Sequence, residues 1–153
     1  MRFQFIVGAL VVCLLASAVA FAATGSRASA KPDLVVSSLS NPPNVVLLGN
    51  GFPVKDTTRN VGATAAARTV TQYYLVGSDG RRTVVGRRTV SRLRAHGSST
   101  HSASAIVAPA MAPGTYSLVA CADAKHVVSE AKERNNCRTA ATKVVVKKGP
   151  PPV

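Results

Sequence analysis

From Lys31 to Val146 the chain is cut into short runs of β-branched and aromatic residues, with Pro, Gly, Asn or Asp interrupting at intervals of roughly 8 to 12 residues. Punctuation this frequent leaves no room for long helices. "DLVVSSLS" ends in "NPPN". "FPVKDTTRNVG" puts Val54, Asp56 and Thr58 on one parity and Lys55, Thr57 and Arg59 on the other, then stops at Gly62, which makes it a weak second strand. "RTVTQYYLVG" closes on the turn signal "GSDG", and "RTVVGRRTV" and "STHSASAIVA" are separated by "RAHGSS". "PGTYSLVACAD", a short "KHVVSE" and "CRTAATKVVV" complete the series. About eight such runs predict an all-β fold, an antiparallel sandwich or barrel. The Ala-rich stretch Ala63 to Arg68 favours helix by propensity but is too short to form one alone. No unit of 20 to 50 residues repeats.

The stretch before this region has a different character. "MRFQFIVGALVVCLLASAVAFAATG" opens with one Arg, continues as an apolar run and ends in small residues, the order of a secretory signal peptide. Residues 1–22 are therefore expected to be a signal helix cleaved after Ala22, with a second small-x-small site at Ala30. An uncleaved anchor over Phe3 to Ala23 is the rival, since the run approaches the ~20 residues that span a bilayer. Its end, dense in Ala and Ser, suits a peptidase better. Val12 before Cys13 is not the small residue expected before a lipidated cysteine. Residues 23–30 then form a polar leader, 31–146 one domain and 147–153 a Lys/Pro tail. Export implies a secreted or cell-surface protein with no stable membrane insertion after cleavage.

Loss of Cys13 with the signal leaves Cys121 and Cys137, an even count that predicts a disulfide in an oxidising compartment. Lys and Arg exceed Asp and Glu by 13, so anionic partners are expected. Aromatic residues are few: Phe52, Tyr73, Tyr74 and Tyr116 are those beyond the signal, and there is no Trp. Adjacent Tyr73 and Tyr74 must point to opposite faces of a regular strand, which argues against a stacking platform for neutral glycans or single-stranded nucleic acid. Nucleic acid would be bound only non-specifically, through charge.

Several of these segments together resemble a known family. "PDLVVSSLS", "RNVGATAA", "LRAHGSST", "PGTYSLVACAD" and "VVSEAKERNNC" are similar to the CARDB domain, an immunoglobulin-like β-sandwich of exported bacterial and archaeal proteins. The resemblance runs from Lys31 to about Val146 and is most specific at Asp123, Glu130, Glu133, Asn135 and Asn136. It implies a sandwich of seven to eight strands and a link to cell adhesion, with no catalytic residues and no cofactor. This chain departs from common members in being a single copy and so basic.

Three candidate sites follow from the residues. Asp123, His126, Glu130, Glu133, Asn135 and Asn136 could offer oxygen ligands to a calcium-like ion, but their spacing is not that of an EF-hand, and Lys125, Lys132 and Arg134 are interleaved. A turn is the preferred reading, in which the Asn pair takes left-handed geometry, the acids pair with neighbouring Lys and Arg, and the disulfide stitches the long strands on either side. Ser98, Ser99 or Ser102 with His96 and His101 lack a nucleophile elbow, and the two histidines lack a third zinc ligand, so hydrolase and zinc readings are remote. Arg81, Arg82, Arg87, Arg88, Arg92 and Arg94 crowd into one hairpin and are the expected contact surface for a protein or an anionic envelope polymer. Positive edge residues that merely discourage aggregation are the plainer explanation of the same cluster.

Overall fold

The computed structural model describes residues 30–150. The expected signal peptide, nearly all of the leader and the last three tail residues lie outside the described residues. Eight strands make up the fold: β1 (Leu34–Leu39), β2 (Val45–Leu47), β3 (Gly51–Asn60), β4 (Thr69–Val76), β5 (Arg82–Val90), β6 (Ser98–Ile106), β7 (Gly114–Cys121) and β8 (Cys137–Lys147). They form two sheets, ordered β1-β3-β6 and β2-β8-β7-β4-β5. Every pairing is antiparallel except that of β2 with β8. The all-β sandwich expected from the punctuation is the fold observed, and there is no helix among the described residues.

Alternation along each strand supplies the core. Leu34 and Val36 of β1 and Val54 of β3 are buried with Tyr73 and Leu75 of β4, Leu118 of β7 and Val144 and Val146 of β8. Each fully buried side chain of this size stabilises the fold by about 1.5–3 kcal/mol. On β3 the inward parity is Phe52, Val54, Asp56, Thr58 and Asn60, so the strand that looked weak runs ten residues through the middle of its sheet. Asn60, fully buried, joins that strand to two loops. Its Oδ1 accepts the N–H groups of Asp33 and Gly62, and its Nδ2 donates to the carbonyls of Thr64, Leu93 and Arg94. Gly62 is required beside it, because a Cβ there would overlap the backbone of Lys31, Pro32 and Asp33.

Two segments differ from expectation. "KHVVSE" is no strand, because the Asp123 carboxylate accepts the N–H groups of Val127 and Val128 that a ladder would need. In its place "VVL" forms β2, three residues paired in parallel with Val145 to Lys147 at the far end of the chain. Ala63 to Arg68 stays irregular, held by a bridge between Ala66 and Leu93.

Candidate functional site

The arginine cluster divides by strand parity. Arg87 and Arg88 are neighbours on β5, a strand at the edge of the five-stranded sheet, so their side chains leave on opposite faces. Arg87 is exposed. Arg88, expected on the contact surface, is buried instead. Its Nε lies 2.6 Å from Asp56 Oδ1 and its Nη2 lies 2.8 Å from Oδ2, while Nη1 donates to Ser99 Oγ and Nη2 also to Ser99 O. Tyr73 and Thr58 donate their hydroxyls to the same carboxylate. Burial opposes the Arg88 charge, yet the Asp56 carboxylate holds its pKa above the ordinary value; burial and Asp56 together raise that of Tyr73. The guanidinium closes the gap between the β5 and β6 edges of the two sheets. It is buried in that seam, where it serves the packing of the two sheets.

The other five arginines of the cluster are exposed. Arg81, in the turn before β5, approaches Asp79 at 4.0 Å with both side chains largely in solvent, a contact worth little. Arg82 lies 5.7 Å from the ring centroid of Tyr74. Arg92 and Arg94 flank buried Leu93 in the loop after β5, followed by His96 at a left-handed φ of 60°. Cross-strand register sets Arg82 beside Val76, Ser117 and Lys143, and Arg87 beside Gln72, Cys121 and Cys137. Arg82, Arg87 and Lys143 therefore share the outer face of the five-stranded sheet, and the Cys121–Cys137 disulfide joins β7 to β8 on that face.

Arg87 also meets two cations that the sequence does not group with it. Arg68 precedes β4 and Lys125 follows β7, and the three line a shallow groove of about 550 Å³ with Val70, Thr89 and Val127. Only a register across three elements brings them together, so no local motif signals the groove.

The acids behave in the opposite way. Of the six in the chain, Asp33, Asp56, Asp123 and Glu130 are buried, leaving Asp79 and Glu133 in solvent. Among the described cations, Arg88 alone is buried. In the β7–β8 connection the acids do not pair with neighbouring Lys and Arg as expected. Asp123 Oδ1 accepts from Thr69 Oγ1 at 2.5 Å and from Val127 N, and Oδ2 from Val128 N. Glu130 accepts from the Leu34 N–H and from Asn136 Nδ2, tying the start of β1 to this loop. Glu133 accepts the Glu130 N–H and lies 3.7 Å from His126. Burial pushes the Glu130 pKa up to about 7, against the downward pull of those two hydrogen bonds and with help from Asp123 and Glu133.

The left-handed positions in this loop are Asp123 and His126, not the Asn pair. Asn135 donates to Asp33 Oδ1, and Asn136 to Glu130. Among the described residues, the Oδ1 atoms of both asparagines are buried without a partner. Ser98, Ser99, Ser102 and His101 lie along β6, where Ser99 Oγ is engaged by Arg88, and His96 sits in the preceding loop. Among the described residues no histidine hydrogen-bonds to a serine.

Solved structures share this architecture. A CARDB domain from Pyrococcus furiosus, solved in complex with di-metal ions, is 24% identical with a TM-score of 0.56, covering 78% of this chain and 96% of that one. A domain of a Methanosarcina acetivorans protein described as a cell surface protein is 25% identical with a TM-score of 0.53, covering 78% and 95%. A β-glucosidase of Erythrobacter marinus is 16% identical with a TM-score of 0.50; 76% of this chain matches 16% of that enzyme. No curated protein matches the chain. The CARDB family model matches residues 31–140, well over half of the sequence, and the chain belongs to the CARDB family.

Proposed function

We propose that this protein is an exported, non-enzymatic interaction module of the cell envelope that holds anionic partners on its basic surface. One observation carries the reading: the fold turns four of its six acids inward and all but one of its described cations outward. The surface is thereby more positive than composition alone implies, and the exposed face of the five-stranded sheet carries Arg82, Arg87 and Lys143 with no carboxylate in register. Family membership and the cell-surface description of one structural relative support an extracellular or surface location.

Retention of the mature domain on isolated cell walls at low salt, with release at high salt, is the expected result. Absence of retention at every salt concentration removes the reading. Binding should be mainly electrostatic, because Tyr73 is buried and Tyr74 is already covered by Arg82.

A metal-binding reading has one observation in its favour. The unpartnered Oδ1 atoms belong to Asn135 and Asn136, whose amide nitrogens already contact the carboxylates of Asp33 and Glu130. Against it, the Asp123 and Glu130 oxygens are occupied by protein donors. A calorimetric titration with calcium that develops no heat disposes of this alternative.

A further inference from the structure

We infer that the groove between Arg68, Arg87 and Lys125 is a subsite for the phosphate group of a polyol- or sugar-phosphate chain. The inference rests on the proposed binding of anionic polymers and gives it a place and a chemistry.

Three separate elements deliver the cations, and a backbone contact fixes the loop that carries Lys125. The Ala124 N–H donates to the Val70 carbonyl at 3.0 Å, which pins the residue before Lys125 to β4. The carboxylate nearest along the chain, Asp123, is turned inward and used by Thr69, Val127 and Val128. Arg88 also borders the groove, but its guanidinium faces the core and is neutralised by Asp56. Among the described residues no acid forms an ion pair with Arg68, Arg87 or Lys125. Their charges stand uncompensated around one concavity, where two guanidinium forks and an ammonium match the oxygens of a phosphate group.

The floor narrows the choice of chain. Val70 and Val127 give it an apolar surface and Thr89 a hydroxyl; Val127 is 59% exposed, held outward by the hydrogen bond from its N–H to Asp123. Among the described residues no aromatic ring lines it. Nucleobases would find nothing to stack on, whereas the carbon skeleton of a polyol or sugar can lie on the two valines. The volume suits one or two such repeat units.

The test uses the mature chain and a short glycerol-phosphate oligomer at low salt, with oligogalacturonate and duplex DNA as comparison probes. The groove variant R68A/R87A/K125A is set against K55A/R59A/K148A, which removes the same charge away from the groove; both are first shown to unfold cooperatively at a melting temperature no lower than that of the wild type. We expect the groove variant to weaken oligomer binding about tenfold or more and the control about threefold or less. Equal weakening by the two variants overturns the subsite. Tighter binding of galacturonate or DNA than of the phosphate oligomer, lost in the groove variant, overturns the phosphate assignment. Wild-type protein that is retained on cell walls but ignores the oligomer sinks the subsite and leaves the broader proposal standing. Failure of wall retention itself sinks the broader proposal.

Discussion

Asp56 and Arg88 show how much a single pair can decide. Both are buried, both charged, and together with Tyr73, Thr58, Thr71 and Ser99 they satisfy one another. Removing one charge strands the other, so Asp56→Ala should lower unfolding free energy by about 3–5 kcal/mol in denaturant titration. The double variant Asp56→Leu/Arg88→Met should recover much of that loss. A double variant no better than the single one would mean the network is worth more than an apolar plug. Glu130 carries a second residue-scale prediction. Its folded pKa of about 7 lies above the unfolded carboxylate value of 4.5, so the folded state binds the proton more tightly. Its contribution to stability is complete below the unfolded value and is lost as pH rises through about 7. Glu130→Gln should flatten the part of the stability profile between these values, because an amide stays neutral and can donate to the unpartnered Asn136 Oδ1 once that amide flips. Thermal melts of wild type and variant across this range, with the same histidines in both, isolate the effect; identical profiles refute it.

Elements inherit their limits from such residues. The β7–β8 connection is closed at its base by the cross-strand disulfide, with a sequence separation of 16, and carries no ladder of its own. Its order comes from Asp123, Glu130 and the disulfide together. Reducing the disulfide, or replacing Cys121 and Cys137 by Ser, should cost about 3 kcal/mol on the loop-entropy account. Hydrogen exchange should then rise first between Ala122 and Asn136 while β3 and β4 stay protected; uniform loss of protection would show that the disulfide holds the whole sandwich instead. Seven of the eight strands could be read from alternation and turn signals, because each satisfies its pattern within ten or so residues. β2 could not, since three residues offer no period and the partner lies about a hundred residues away. "KHVVSE" misled for the converse reason: its β-branched pair looks like a strand, and the carboxylate that captures its N–H groups sits before it as an ordinary turn residue. The candidate site was half legible. Strand parity splits Arg87 from Arg88, but which one faces inward depends on Asp56 across the core, and the grouping of Arg87 with Arg68 and Lys125 depends on a register no local motif encodes.

On the scale of the whole molecule, acids inside and cations outside give charge two opposed effects. Exposed cations repel one another in the folded state and draw anions to it, so the same surface weakens the fold and strengthens binding. Added salt screens both. Raising sodium chloride from about 10 to about 300 mM, across which the Debye length shrinks from roughly 30 to roughly 6 Å, should therefore raise the melting temperature of the free domain while releasing it from an anionic matrix. At low salt a polyanion should substitute for the simple salt, raising the melting temperature by binding the folded state. A free domain whose melting temperature falls as salt is added would show that specific surface ion pairs outweigh the repulsion. The structure argues against that outcome, because outside the buried Asp56–Arg88 pair the ion contacts among the described residues are the long Arg81–Asp79 approach and His126 with Glu133.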